Sequence, residues 1–367
     1  MRAVLSTSKL LAASLAAITA LSSLACNNDP PPPRYPPGRP PPGTYYGPGQ
    51  PPPPGQPPMP GQPPAPGQPP APAPQGPPAP AIPQNLPPVP NDPINLGDIN
   101  FMRQRSQSVI AELKQHLAAN YQSKVQNIPL VVEDGPGEVN AYAACTQGKA
   151  LMAITDGLMR IQAQMARARA TDEIFGTRKF DAYVQFVAQN QRPKQPIVRP
   201  AQGFWDPGQD TDGRKVMRQH QLFEEELAFV LGHELAHHYL DHTGCAGSQP
   251  PFITPADLGR VLSNAVPGFN QPNEISADTN GVTNTLNAGR ARNGYKWTEG
   301  GAMLTLNFFL ALKTMTPAEA ILFGFELSHP HPSFRIPIVR DTANRWRQGG
   351  GAAPASPFPF PIPGLIQ

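Results

Sequence analysis

Between residues 30 and 93 proline recurs so often that no packed core can form there. Proline lacks a backbone N–H donor and fixes φ, so a dense run of it serves neither helix nor sheet. A second such stretch occupies Pro354–Pro363. One region is left for a globular domain, residues 94–348, with a Pro/Gly/Gln-rich linker at 26–93 and a tail at 349–367. The linker repeats every six residues, as in Gly-Gln-Pro-Pro-Ala-Pro. Collagen needs glycine every third residue, so that reading fails. A polyproline-II spacer of roughly 60 residues, at about 3.1 Å each, reaches on the order of 190 Å at most. It either holds the domain away from an anchor or is a solvated tail.

Residues 1–25 read as an export signal. Arg2 and Lys9 supply the positive start, Leu10 to Leu21 the apolar stretch, and Ser23-Leu24-Ala25 the small residues of a cleavage site. An apolar run of about twelve residues is too short for a permanent membrane span. Cys26 follows, and Ser-Leu-Ala-Cys is similar to a bacterial lipobox, with Ser23 where Leu is usual. Cys26 is then either lipidated, which gives a lipid anchor, or a bystander to ordinary cleavage. Both readings place the protein outside the cytoplasm, in the periplasm or cell envelope. There Cys145 and Cys245 either form a disulfide or remain two buried thiols. Charge is nearly balanced, 29 Lys+Arg against 26 Asp+Glu, and no basic run carries interleaved aromatics. Nucleic acid is therefore not expected as a partner. Oligomeric state leaves no mark in the sequence.

Within the domain, Val109, Ile110, Leu113 and Leu117 recur at helical spacing and predict a helix over 99–126. Strands are expected at 128–132, 139–144 and 150–155, the last two joined by a turn at Gln147-Gly148, and a helix from Asp156. The polar, proline-punctuated stretch 176–221 reads as an insertion. Two further helices are expected, one from Leu222 through His237 and one over 273–286. Ala302–Leu312 is apolar but short, a core helix rather than a membrane span. The fold class is α+β, mainly α, with a small sheet.

The chemistry centres on His233-Glu234-Leu235-Ala236-His237. On a helix, residues four apart share a face, so both imidazoles aim at one point with a carboxylate beside them. Two neutral imidazoles suit Zn²⁺, and Glu234 can take a proton from a water that the metal activates. A catalytic zinc takes a third protein ligand. The longer motif ending in Gly-x-x-His fails, because Leu240 and Thr243 stand at those positions. Glu274 and Asp278, four apart on the next helix, offer a metal ligand and a carboxylate that orients one. His238 is turned about 100° from His237, so it and His242 read as structural or supporting. His116 and His220 read as surface histidines.

Taken together these motifs resemble the zinc metallopeptidase family that includes HtpX, BepA and the CAAX prenyl endopeptidases. The likeness spans about residues 99–345. It rests on Asn140–Ala143, on Met152–Met159, and on His233 to His242 as H-E-x-x-H-x-x-x-x-H. Glu274, Ala277, Asp278 and Gly281 follow as E-x-x-A-D-x-x-G, then Ser328-His329-Pro330 with Arg335-Ile336. The resemblance implies a zincin-like domain with a small sheet edge beside the H-E-x-x-H helix, and one Zn²⁺ per chain on His233, His237 and Glu274. Glu234 is then the general base, with Asp278 and His242 in support. His329 steadies the tetrahedral intermediate or takes the open metal position in a latent state, and Arg335 supports the site electrostatically. His331 competes for the role of His329, although the spacing to Arg335 favours His329. The strand holding Asn140, Ala141 and Tyr142 is expected to pair with extended protein or peptide substrates. An insertion at 160–221 is long for the family. The membrane spans of its other branches are missing, which points to a soluble, exported branch. Two functions remain in view. One is an endopeptidase acting on cell-envelope or misfolded exported proteins; the other is a non-catalytic envelope lipoprotein that binds or chaperones.

Overall fold

The computed structural model describes residues 82–146, 148–192, 194–245, 271–315 and 329–351. The expected signal segment, Cys26, most of the linker, Ser328 and the tail beyond Gly351 lie outside the described residues. The described chain begins with helices α1 (Pro93–Leu96), α2 (Ile99–Gln115) and α3 (Ala119–Val125). Strands β1 (Leu130–Glu133), β2 (Ala141–Thr146) and β3 (Lys149–Thr155) follow. Helices α4 (Asp156–Phe175), α5 (Lys179–Asn190), α6 (Pro207–Thr211) and α7 (Gly213–Tyr239) come next, then α8 (Gln271–Ala291), α9 (Gly300–Met315) and α10 (Pro332–Gln348). The domain is α+β and mainly α, as expected.

Helix α7 organises the domain. Its first turn is capped by Asp212, whose carboxylate accepts from the Arg214 amide at 2.9 Å. Leu222, Phe223, Leu227, Phe229, Val230, Leu231 and Leu235 are all buried, and so are Glu225, Glu226, His233, Glu234 and His238, so its second half is enclosed on every side. A helix buried all round lies at the centre of a protein, and its polar side chains there need partners. Helices α2, α4, α8 and α9 pack around it. α7 starts nine residues before the expected Leu222, inside the supposed insertion. There Lys215 and Arg218 are buried because Asp210 and Glu173 pair with them at 2.6 Å. The stretch 176–221 is thus mostly ordered structure, α5, α6 and the head of α7, rather than a polar excursion.

Three other expectations shift. The helix over 99–126 is two helices, broken after His116, which caps α2. The first strand begins at Leu130, beyond Pro129. His220 and His116 are half-buried rather than on the surface. His220 pairs with buried Asp92 and meets the Phe101 ring edge-on at 5.3 Å, and His116 Nδ1 lies 2.8 Å from the Glu112 carbonyl.

The sheet order is β1-β3-β2, with β1 parallel and β2 antiparallel to β3. Ala141 stands opposite Ile154 and Tyr142 opposite Ala153. β2 is therefore an edge strand, and it lies against α7. Cys145 on β2 and Cys245 after α7 form a disulfide, with their Cα atoms 5.7 Å apart. No described helix is long and apolar enough to cross a membrane. The Ala302–Leu312 run lies in α9 and buries Leu304, Leu306, Phe308, Phe309 and Leu312.

Candidate active site

Two helices bring the chemistry together because two glycines let them. A Cβ built on Gly281 of α8 would lie 2.7 Å from the His233 amide nitrogen and 2.9 Å from the Gly232 carbonyl carbon. A Cβ on Gly232 would lie 3.1 Å from the Gly281 carbonyl oxygen. Only at this approach do Glu274 and Asp278, on α8, reach the histidines of α7. His233 Nε2 lies 3.1 Å from His237 Nε2 and 3.4 Å from Glu274 Oε2. His237 Nε2 lies 3.3 Å from Glu274 Oε1.

These separations suit one metal ion. Ligands about 2.0 Å from a tetrahedral zinc sit roughly 3.3 Å from one another. The ring orientations agree. His233 Nδ1 donates to Asp278 Oδ1 at 2.9 Å, so Nε2 is the nitrogen that offers its lone pair when a metal displaces the second proton of the ring. That nitrogen, the facing Nε2 of His237 and the Glu274 carboxylate are aimed at one point, which suits a cation. His233, His237 and Glu274 thus form a cluster able to hold a metal.

The cluster is held from behind. Arg335 donates from Nε to Asp278 Oδ2 at 2.9 Å and from Nη2 to Oδ1 at 2.7 Å, and its guanidinium lies 5.6 Å from the Phe229 ring centre. Arg335 and Asp278 are both buried, so the fork fixes the carboxylate that fixes His233. Burial works against the Asp278 carboxylate, but Arg335 and His233 hold it at about 2. Burial and the Arg335 charge push the His233 imidazole down, yet Asp278 and Glu274 outweigh them and hold it at about 9. Glu274 is driven far below the carboxylate range, with the two histidines overcoming its burial.

On the other side, His329 Nε2 lies 3.2 Å from Glu234 Oε1. Burial raises Glu234, but His329 and then the metal-cluster histidines pull it below its ordinary value, so it is ionised near neutrality. His331 faces elsewhere. It caps α10 and accepts from the Ser333 amide at 3.3 Å. His242 Nδ1 lies 3.0 Å from His237 Nδ1. His238 is buried, donates from Nε2 to the Leu151 carbonyl at 2.9 Å, and accepts from Thr243 Oγ1 at 3.1 Å. Both of its nitrogens are taken, so it pins α7 to β3 and is no ligand. Burial pushes it down to about 4, which keeps it neutral.

The strand residues occupy the edge beside α7. The Asn140 amide donates to Thr155 Oγ1 at 3.0 Å, Ala141 is buried, and the Tyr142 hydroxyl donates to Glu133. Sequence reasoning did not reach the Leu151–His238 tie, the Gly232–Gly281 approach or the Arg335–Asp278 fork. Of these only Gly281 carried a signal, as the last residue of E-x-x-A-D-x-x-G.

No curated protein and no solved structure matches the chain. A family model does, over residues 104–343, which takes in every residue of the metal cluster and its supports. By that match the chain belongs to peptidase family M48.

Proposed function

We propose that this protein is an exported zinc endopeptidase that cleaves peptide bonds of cell-envelope or misfolded exported proteins. The convergence of His233, His237 and Glu274 at 3.1 to 3.4 Å, with ionised Glu234 beside it, carries the reading. A zinc ion held by those three would supply Lewis acidity, lowering the pKa of water and polarising the scissile carbonyl. Glu234 takes the proton of the attacking water and delivers it to the leaving amine. His329, in contact with Glu234, is poised to donate to the negative charge that develops on the carbonyl oxygen. His242 bears on His237 as Asp278 and Arg335 bear on His233, so each imidazole is oriented by its second nitrogen. The β2 edge at Asn140, Ala141 and Tyr142 suits an extended substrate bound by backbone pairing. A signal segment and Cys26 ahead of the proline-rich arm support a tethered enzyme outside the cytoplasm.

The test is zinc analysis with casein cleavage for wild type and Glu234→Gln. Both should carry one zinc per chain, and only wild type should cleave. Wild type without zinc, or a variant as active as wild type, ends the reading.

A further inference from the structure

We propose that the cavity walled by α1, α4 and the 197–211 segment is a binding site for a phosphate ester carried on an apolar body. The cavity holds about 420 Å³, within the roughly 300–1,000 Å³ of small-molecule sites. It is separate from the metal cluster. It borders the N-terminal end of α7, and the twenty residues from Gly213 to His233 span about 30 Å of helix.

Three arginines line it, Arg160, Arg167 and Arg199, against one acid, Asp210. Asp210 is spent. It takes Arg167 through both oxygens, at 2.9 and 2.5 Å, and Lys215 at 2.6 Å. Arg160 and Arg199 have no such partner. Arg160 donates to the Gly97 carbonyl at 3.2 Å, and Asp156, whose charge it feels, is already gripped by Arg103 at 2.9 and 2.6 Å. Arg199 makes no hydrogen bond or ion pair among the described residues. Yet the two guanidiniums are neighbours. Arg160 Nη1 and Arg199 Nη2 lie 3.9 and 3.8 Å from the point where a Cβ on Gly97 would sit. Gly97, at φ +70°, leaves that point empty. Burial, and then the charge of Arg199, depress Arg160.

Arg160 is half-buried and Arg199 exposed, so water screens part of their repulsion, and an oxyanion held between the two neighbouring guanidiniums removes the rest. A carboxylate is fully served by one planar fork, whereas a phosphate monoester has charge and oxygens enough for two. Leu96, Ile197 and Trp205 give the wall an apolar part that suits the organic portion of the ligand, beside polar residues such as Asn95 and Gln164. The ester is either a free organic phosphate or a lipid headgroup, and both present the same group.

The experiment titrates the full chain with phenyl phosphate by calorimetry, beside inorganic phosphate and phenol. Phenyl phosphate should bind below about 1 mM, inorganic phosphate more weakly, and phenol not measurably. Arg199→Gln should weaken phenyl phosphate at least about tenfold. Because Arg199 holds no partner, that variant should keep or raise the unliganded thermal midpoint and should leave casein cleavage unchanged. Vesicles with phosphatidic acid, against vesicles of phosphatidylcholine alone, identify the source. Binding that Arg199→Gln abolishes assigns a lipid headgroup; binding of phenyl phosphate without the vesicles assigns a free phosphate. Phenyl phosphate bound no better than phenol, or bound equally by Arg199→Gln, overturns the proposal.

Discussion

Gly281→Ala tests whether the approach of α7 and α8 is what assembles the metal cluster. The added methyl would meet backbone, not a side chain that can swing away. It would lie 2.7 Å from the His233 nitrogen and 2.9 Å from the His233 Cα. Ordinary carbon contacts begin near 3.5 Å, so the helices must part by roughly 0.7 Å. Overpacking of this kind costs about 1–3 kcal/mol, and rigid backbone puts the site at the upper end. Alanine's better helix propensity returns at most about 1 kcal/mol. The net loss is about 1–2 kcal/mol, a fall of roughly 2–8 °C in thermal midpoint for a domain of this size. The larger effect should be on function. Glu274 and Asp278 move with α8 while His233 and His237 stay on α7, so the two separations to Glu274, 3.4 and 3.3 Å, open together while the histidines keep theirs. Zinc affinity should fall about 10–100-fold, as when a supporting residue is lost, and kcat/KM with zinc in excess by about 100-fold. Competition with a chelating dye gives the first and casein cleavage the second. A variant whose zinc affinity stays within about threefold of wild type would refute the idea that this contact sets the site.

Asp278→Asn should weaken zinc about 10–100-fold and cost about 3–5 kcal/mol of stability by leaving Arg335 buried without its carboxylate; unchanged urea midpoints would exclude the second effect. Zinc uptake by chelated protein at about pH 8 should release nearly one proton from His233, because a group with a pKa of about 9 is still protonated there. An unperturbed imidazole would release less than about a tenth of one, and calorimetry in buffers of different ionisation heat separates the two. In the metal-free protein that raised pKa contributes stability below the unfolded value of about 6.5, which is lost as pH rises through about 9. Reducing the Cys145–Cys245 bond, or replacing Cys145 with Ser, should cost about 2–5 kcal/mol, since the bond closes a loop of 100 residues. Equal thermal midpoints with and without reductant would rule that out.

What the sequence makes legible is what lies on one element. His233 with His237, and Glu274 with Asp278, are pairs four apart, and helical periodicity alone puts each pair on one face. The sheet is legible from local sequence too: β2 and β3 are short, largely apolar runs with a glycine turn between them. What joins elements is harder to read. Arg335 lies 57 residues from Asp278 and Cys245 lies 100 from Cys145, and no local pattern links either pair. The misread head of α7 has a related cause. Lys215 and Arg218 look like a solvated stretch until their partners, Asp210 and Glu173, are known; paired, they are interior residues.

The same accounting separates the places where this domain binds something from those where it is merely held together. A charge inside a protein is tolerated when it is paired or neutralised. Arg335 with Asp278, Arg167 and Lys215 with Asp210, and Arg218 with Glu173 are paired. Glu226 is neutralised: burial, followed by the charge of Glu225, pushes its carboxyl well above the ordinary range, so it needs no cation. Among the described residues, two clusters follow neither course. At His233, His237 and Glu274 two imidazoles and a carboxylate meet, and without a metal only the proton on His233, held at about 9, stands between them. At half-buried Arg160 and exposed Arg199 two cations border one cavity with no acid to pair them, and an arginine keeps its proton at any physiological pH. A metal ion completes the first by displacing that proton, and an oxyanion completes the second where water otherwise screens it.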